Sequence, residues 1–366
     1  MKYIYNNKNW PKFTWDKIRV LESLSAAKYA QGLLLGKVGS LGFGYRNEAI
    51  LNTLSEDVLK SSEIEGENLN KEQVRSSIAK RLGIETAGDI YIERNVEGVV
   101  EMMLDATQNY KAIFTIERLS SWHASLFPSG FSGLNRIISG NFRDDRNGPM
   151  QVVSGAIGKE KVHFEAPTAS TLKESIPIYI NWINDSSDID CILKAGIAHL
   201  WFVALHPFED GNGRIARAIT DMLLARAEDS SQRFYSMSAQ IRMERKQYYS
   251  ILEETQKGTL DITNWLVWFI ECLSRAINNA ELTLQSIFNK ALFWQKNKDT
   301  SLNERQKQML NMFMDSFNGN LTSSKWSKIC KCSQDSANRD ILDLLNKNIL
   351  KKIGDGRSTH YIITDF

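Results

Sequence analysis

Residues 206–217 read His-Pro-Phe-Glu-Asp-Gly-Asn-Gly-Arg-Ile-Ala-Arg and bring a base, acids, an amide, glycines and two arginines close together. His206 can take a proton at neutral pH because the pKa of an unperturbed imidazole is about 6.5. Asp210 is a hard oxygen ligand that suits Mg²⁺. Arg214 and Arg217 share one helix face, and their guanidinium groups suit phosphate oxygens. The segment therefore predicts a phosphate-binding loop with a general base beside it.

Two apolar helical patterns flank this loop, over residues 195–205 and 215–225. The glycines at 211 and 213 let the backbone turn tightly and bring N–H groups against a ligand. The loop leads into the beginning of a helix, where unpaired N–H groups and the helix dipole favour an anion. The pattern predicts a helix, a glycine loop and a helix. The alternative is a corner with a surface histidine and solvated arginines.

The segment resembles the signature of the Fic family, His-x-Phe-x-Asp/Glu-Gly-Asn-Gly-Arg-x-x-Arg, and matches every specified position. The resemblance implies a mainly α-helical core that moves AMP from ATP onto a Ser, Thr or Tyr hydroxyl of a target protein. It implies that His206 deprotonates this hydroxyl and that Asp210 holds Mg²⁺. The residues of the segment that it implies in ATP binding are Gly211, Asn212, Gly213, Arg214, Ile215, Ala216 and Arg217.

A second stretch, residues 61–66 (Ser-Ser-Glu-Ile-Glu-Gly), reads on composition as a helix end with Gly66 as its C-cap. A carboxylate at a helix C-terminus opposes the dipole, so Glu65 needs a cationic partner. Many Fic proteins carry Ser/Thr-x-x-x-Glu-Gly/Asn as an inhibitory helix, and residues 61–66 match it. The resemblance implies that Glu65 pairs with Arg217 and blocks the γ-phosphate of ATP from its productive position.

Short β-branched runs around glycine and lysine predict a β-hairpin over residues 139–169. The resemblance makes it the Fic flap, whose exposed edge would register the target peptide by strand addition. A purely structural hairpin is the alternative. His163 is expected to be a packing or surface residue. The flap residues implied to line the nucleotide are Val153, Ser154, Gly155 and Ala156.

Further along the chain, Tyr249 and Gln256 lie seven residues apart and share a helix face. In related Fic proteins a tyrosine pair and an amide seven residues on line the adenine pocket, which implies this role for Tyr248, Tyr249 and Gln256. Gln256 stands where Asn is often found. For Tyr248 an aromatic core position is the alternative. His199 is expected to be a core or supporting histidine.

The length of 366 residues predicts two or three domains. We assign residues 1–95 to a helical N-terminal domain with the inhibitory helix, which resembles a domain often found ahead of Fic cores. Residues 96–290 form the Fic catalytic core. Residues 300–366 form a small winged-helix-like domain.

In this last domain, three helical patterns precede a predicted hairpin. The first helix is predicted over residues 305–317. Ser323 and Ser333 are expected to cap the second and the third.

The composition gives no signal for several classes of function. The net charge of +2 gives no global signal for nucleic acid or a membrane, and no apolar run reaches the ~18 residues of a membrane span. The four cysteines are scattered, and the Cys-Lys-Cys at 330–332 lacks the other ligands of a zinc site. We therefore expect a cytoplasmic protein with reduced thiols and no membrane partner.

Two other functions stay open. The same site could remove AMP, with Glu65 orienting water, or move another phosphate-linked group. Alternatively, the chain could be an ATP-sensing regulator whose C-terminal domain binds DNA. The presence of His206 and Asp210 argues against sensing alone, because sensing needs no base. The sequence leaves open the target, the acceptor residue, self-modification, a homodimer, and whether residues 300–366 contact DNA or protein.

Overall fold

The computed structural model describes residues 3–39, 41–85, 90–146, 148–155, 159, 161–186, 189–317 and 319–364. Within them lie fourteen α-helices and three two-stranded antiparallel sheets. The prediction of a mainly α-helical fold is therefore confirmed. None of the described helices combines the length and apolar character that crossing a membrane requires.

The helices follow one another along most of the chain. They are α1 (Lys17–Gly39), α2 (Phe43–Ile64), α3 (Lys71–Leu82), α4 (Arg94–Gln108), α5 (Ile116–Leu126), α6 (Ala169–Asn184), α7 (Cys191–Leu205), α8 (Asn212–Glu228), α9 (Met237–Met243), α10 (Arg245–Gln256), α11 (Thr263–Lys296), α12 (Glu304–Ser316), α13 (Ser323–Ile329) and α14 (Gln334–Asn346). The strands are β1 (Phe131–Ser132), β2 (Asn135–Arg136), β3 (Gln151–Ser154), β4 (Lys161–Glu165), β5 (Leu350–Ile353) and β6 (His360–Ile363).

The described residues divide into two compact units. The first is made of those in Met1–Ser40 and Arg46–Glu281, and the second of those in Leu41–Tyr45 and Leu282–Phe366. The division between an N-terminal domain and a catalytic core near residue 95 stays a prediction.

Helix α7 lies in the interior of the first unit, since all of its residues except Cys191 and Val203 are buried. It packs along α8 and ends where the predicted loop begins. Gly196 permits a close approach to α11, since a Cβ there would lie 2.9 Å from Phe269 Cδ1. Trp265 of α11 donates its indole N–H to the Gly196 carbonyl at 2.8 Å. The helix that ends just before His206 is therefore packed against both α8 and α11.

The predicted middle hairpin is confirmed as β3 and β4, which pair from Gln151–Glu165 to Ser154–Lys161 with an irregularity after Val152. A second, smaller hairpin of β1 and β2 was not predicted. Its strands have two residues each, which is too short for an alternating pattern.

The second unit follows the predicted order of helices and hairpin, with α12, α13 and α14 before β5 and β6. Trp326, Ile341 and Leu344 lie in its core. Ser333 caps α14 by accepting the N–H of Ser336, as predicted. The prediction of Ser323 as a cap was wrong by one residue, because Thr322 accepts the N–H of Lys325 and α13 begins at Ser323. The likeness to a winged helix stays a prediction.

Candidate functional site

The loop between α7 and α8 takes its shape from two residues in the left-handed backbone region. His206 has a φ of 47° and donates its N–H to the carbonyl of Phe202 at 2.9 Å, which ends α7. Gly211 has a φ of 79°, and a Cβ there would lie 2.9 Å from a ring carbon of Phe127. Only glycine fits that second position without displacing Phe127. The loop ends at the amino terminus of α8.

Asn212 and Phe208 close the loop from inside. The Asn212 side chain donates to the Phe208 carbonyl at 2.8 Å and accepts the Phe208 N–H at 3.0 Å. The ring of Phe208 is fully buried and stacks on His123 at 4.0 Å. His123 accepts the N–H of Gly140 and donates to the carbonyl of Asp210. His123 is thus a packed core histidine, and the amide of Asn212 is committed to the loop itself.

Arg143 holds the beginning of the loop and was missed from the sequence. Its guanidinium donates to the carbonyl of His206 at 2.7 Å and to Asp145 at 2.7 Å. Its backbone N–H donates to the Pro207 carbonyl at 2.9 Å. An arginine that is only 4% exposed beside two loop carbonyls fixes the backbone that carries the predicted base.

The imidazole of His206 is neutral at pH 7. Its Nδ1–H donates to the Val203 carbonyl at 3.4 Å, which leaves the lone pair on Nε2. The pKa of His206 is lowered to about 4, chiefly because the ring is buried and also because of the nearby charge of Arg143. A neutral ring with a free lone pair can accept a proton.

Glu65 lies against Arg217 at the amino-terminal turn of α8. Its Oε1 accepts from Arg217 Nη2 at 2.8 Å, and Ser61 accepts two further bonds from the same guanidinium. A Cβ on Gly213 would overlap Glu65 Oε1. The carboxylate therefore rests directly on the beginning of α8, where a helix favours an anion. The Nη1 of Arg217 is buried and has no hydrogen-bond partner among the described residues.

Arg214 has an acidic partner of its own. Glu67 accepts from Arg214 Nη1 at 2.6 Å, while the guanidinium lies 5.0 Å from the centre of the Phe127 ring. The side chain of Arg214 is 3% exposed and that of Glu67 is 44% exposed. Both line a cavity of about 680 Å³. Glu67 was not predicted from the sequence, although it directly follows the inhibitory motif.

The surroundings of Asp210 fit its predicted role as a magnesium ligand. Its carboxylate accepts the hydroxyl of Ser132 on one oxygen and the N–H of Gly211 at 2.6 Å on the other. Each carboxylate oxygen keeps a further lone pair for a cation. The described residues bring no group of three metal-binding side chains together. Magnesium is usually held by one or two carboxylates and substrate phosphates, so one aspartate at this loop suits it.

The residues predicted to line an adenine pocket lie on α10. Tyr248 is buried and hydrogen-bonds to His199 at 2.9 Å, while the other ring nitrogen of His199 bonds to Thr220. Tyr249 donates its hydroxyl to Glu65 Oε2 at 3.4 Å. The amide of Gln256 lies 3.5 Å from the Val203 carbonyl, which also accepts from His206. The structure places this helix beside both His206 and Glu65, with Tyr248 and His199 in the core.

Of the flap residues, Val153 is 48% exposed, and Ser154 and Gly155 are exposed too. Ala156 lies outside the described residues. Within α8, the side chains of Ile215 and Ala216 are fully buried. Only the backbone of those two residues is therefore left for a nucleotide.

Two family models match separate parts of the chain. Residues 3–84 match a domain of unknown function, DUF4172, and residues 113–224 match the Fic/DOC family. Protein adenylyltransferase fic-1 of Caenorhabditis elegans is 30% identical over 111 residues, which are 30% of this chain and 21% of that protein. Protein adenylyltransferase Fic of Drosophila melanogaster is 26% identical over 265 residues, which are 71% of this chain and 48% of that protein. The chain thus spans about half the length of these curated relatives or less.

Two solved structures resemble the fold. A Fic family protein from Desulfovibrio desulfuricans G20 gives a TM-score of 0.58 at 17% identity, covering 97% of this chain and 98% of that one. A Fic domain containing signaling protein from Bacteroides thetaiotaomicron VPI-5482 gives 0.50 at 19% identity, covering 75% and 96%. At these identities the likeness concerns the fold.

Proposed function

We propose that this chain, whose residues 113–224 form a Fic domain, is an ATP-dependent protein adenylyltransferase that Glu65 holds inactive. The observation that carries the proposal is the pair of Glu65 and Arg217, whose carboxylate covers the first turn of α8, beside a loop that begins with a neutral histidine. Adenylyltransferases among its relatives support the type of reaction.

In the proposed reaction the target hydroxyl attacks the α-phosphorus of ATP and pyrophosphate leaves. His206 takes the hydroxyl proton on Nε2, since its Nδ1–H is committed to the Val203 carbonyl. The N–H groups at Gly211–Gly213 receive phosphate oxygens, as does Arg214. Asp210 would hold Mg²⁺, which neutralises phosphate charge. Positioning the reactants and neutralising phosphate charge are the main contributions of a protein to this kind of transfer.

The proposed inhibition is a competition for one anion site. The Glu65 carboxylate already lies where a helix start and Arg217 would receive a phosphate. Two like charges cannot share that position at low cost. ATP therefore binds in its productive position only when Glu65 leaves.

The flap and the adenine-side residues complete the proposal. An exposed edge of β3 registers a segment of the target by strand addition, and Val153 to Ala156 line the nucleotide. Tyr249 and Gln256 line the adenine side, with Tyr248 behind them. Residues 1–95, 96–290 and 300–366 keep their proposed roles as inhibitory domain, catalytic core and winged-helix-like domain.

The test is AMP incorporation from α-labelled ATP into proteins of a cell lysate. Glu65→Gly is expected to label target proteins, and Glu65→Gly/His206→Ala is expected to lose the label on those target proteins. Equal labelling by both variants would contradict the role of His206. If neither variant incorporates AMP while both bind ATP, the proposed transfer is wrong. Release of AMP from a labelled protein by wild type, lost in Glu65→Gly, would instead favour the reverse reaction.

A further inference from the structure

Three side chains of the flap region form a hydrogen-bonded chain that the proposed reaction does not use. Ser154 Oγ lies 2.6 Å from His163 Nε2, and His163 Nδ1 lies 2.6 Å from Glu253 Oε2. Ser154 and His163 lie on β3 and β4, and Glu253 lies on α10. A hydroxyl, an imidazole and a carboxylate in this order are the arrangement of an activated serine nucleophile.

The charges of the neighbours fix the direction of these bonds. Hydrogen bonds from Lys257 and His163 lower the pKa of Glu253 to about 2, so its carboxylate is ionised and can only accept. The Nδ1 of a neutral His163 must then carry the proton, and Nε2 accepts the hydroxyl of Ser154. When Ser154 gives up its proton, the imidazolium that forms faces a carboxylate.

Helix α10 joins this chain to the proposed site. Tyr249 and Glu253 lie one turn, about 6 Å, apart on α10. The hydroxyl of Tyr249 reaches Glu65, which covers the first turn of α8. Gln256, three residues after Glu253, reaches the carbonyl that also accepts from His206. Glu253, the last residue of the hydrogen-bonded chain, therefore lies on the same face of α10 as Tyr249 and Gln256, which are proposed to line the nucleotide.

The exposure of the three side chains suits a reaction with a small electrophile. Ser154 is exposed, while His163 and Glu253 are each 27% exposed at the side chain. The ring of Phe164, the neighbour of His163, is buried against Tyr3 and Tyr5. The strand that carries the base is thus anchored, and the hydroxyl is open to solvent.

We propose that Ser154 is an acceptor of AMP in self-modification, with His163 as its own general base and Glu253 as the residue that positions His163. The proposal rests on the proposed adenylyltransferase function. Ser154 Oγ forms a bond to the α-phosphorus of ATP as the bond from that phosphorus to the bridging oxygen breaks. The proton of Ser154 goes to His163 Nε2, and pyrophosphate leaves with the electron pair. The product is a phosphodiester between Ser154 and adenosine.

The activation of Ser154 can be tested without any AMP transfer. A fluorophosphonate probe, a phosphorus electrophile that reacts with activated serines, is applied to the full chain carrying His206→Ala. Peptide mapping is expected to place the probe on Ser154, with a fall of at least about tenfold in His163→Gln. Ser170, an exposed serine of α6, is the internal control and is expected to stay unlabelled. Absence of the probe from Ser154 would overturn the proposal.

The role of Glu253 needs a readout that a structural change would not move. The pH midpoint of probe labelling at Ser154 is compared between His206→Ala and His206→Ala/Glu253→Gln. The carboxylate of Glu253 stabilises the imidazolium of His163, so its loss is expected to move the midpoint to lower pH. Lys257 is the other charged group in contact with Glu253. An unchanged midpoint would contradict the positioning role.

The acceptor role is tested by mapping AMP in Glu65→Gly after incubation with ATP and lysate. Ser154 is expected to carry AMP, and His163→Gln is expected to lower its share of all incorporated AMP at least about tenfold. AMP on other proteins but not on Ser154 would overturn this inference and leave the proposed function standing. No AMP on any protein would overturn both, while probe labelling would still report whether Ser154 is activated.

Discussion

The loop at residues 206–213 and the hairpin of β3 and β4 are built in opposite ways. In the loop, Asn212, Phe208 and Arg143 are buried and each contacts the loop backbone. In the hairpin, the end of β3 and the beginning of β4 are exposed, and a side-chain bond from His163 to Glu253 joins it to α10. The loop is preorganised for one geometry, whereas the hairpin leaves a strand edge accessible. This difference fits the proposed function, in which the loop supplies the base for target proteins and the hairpin presents acceptor hydroxyls.

The largest effect on AMP transfer is expected from replacing the histidine of the loop. His206→Ala, in a Glu65→Gly background, is expected to lower AMP transfer to target proteins by about 10²- to 10⁴-fold, because the general base is lost. Initial rates with α-labelled ATP measure the change. His360→Gln, on β6, is the matched control and is expected to keep the rate. A fall of less than tenfold in His206→Ala would contradict the role of the loop histidine.

The second prediction compares the two regions by stability. Asn212→Ala leaves the buried N–H and carbonyl of Phe208 without their partner and is expected to cost about 2–3 kcal/mol of unfolding free energy. Ser154→Ala, at an exposed position of the hairpin, is expected to stay within about 0.5 kcal/mol of wild type. Urea unfolding followed by circular dichroism measures both. Equal losses would remove the distinction between a rigid loop and an open hairpin.

The parts of the loop and the hairpin that depend on neighbouring residues could be predicted from the sequence. The glycine loop between two apolar helices, the helix end marked by Gly66 and the middle hairpin all follow from spacing and turn residues. Gly66 has a φ of 89°, as expected of a glycine C-cap. The position of Ala156 lies outside the described residues, and the roles assigned to the site residues stay predictions.

The parts that were missed depend on pairs that are far apart in the chain. Arg143 donates to the carbonyl of His206, which lies 63 residues away in the chain. Arg214 donates to Glu67, which lies 147 residues away. No spacing rule connects such positions, because the fold alone brings them together. His163 was expected to be a packing or surface residue. It lies partly exposed, but its bond to Glu253, 90 residues away, gives it a second partner.

The third prediction concerns the pH dependence of the loop. Burial depresses the pKa of His206 to about 4, so the base form is present above that pH and is lost as the pH falls through it. In Glu65→Gly the pH profile of kcat/KM is expected to have no acid limb near 6.5 and to fall only near 4. Circular dichroism at each pH controls for unfolding. An acid limb centred near the ordinary histidine pKa of about 6.5 would contradict a desolvated base.

The smallest effect is expected at the ion pair of Glu67 and Arg214. Glu67→Gln removes a charge from Arg214, but Glu67 is 44% exposed and solvent screens the pair, so about 0–1 kcal/mol is at stake. ATP affinity, measured by titration calorimetry in a His206→Ala background, is expected to rise by no more than about fivefold. Glu93→Gln, an acid that lines the same cavity and accepts from Gln73, is the control. A gain equal to that of Glu65→Gly would place the inhibition on Glu67 instead.

The central claim is that the Glu65 carboxylate occupies the site where ATP must place a phosphate. The most direct measurement is the rate of AMP incorporation by wild type, Glu65→Gly and Glu63→Gly at equal concentration. Glu63 is the matched control because it pairs with Lys60 and Arg242 rather than Arg217. We expect a gain of at least about tenfold in Glu65→Gly and none in Glu63→Gly. Equal rates in wild type and Glu65→Gly would contradict it.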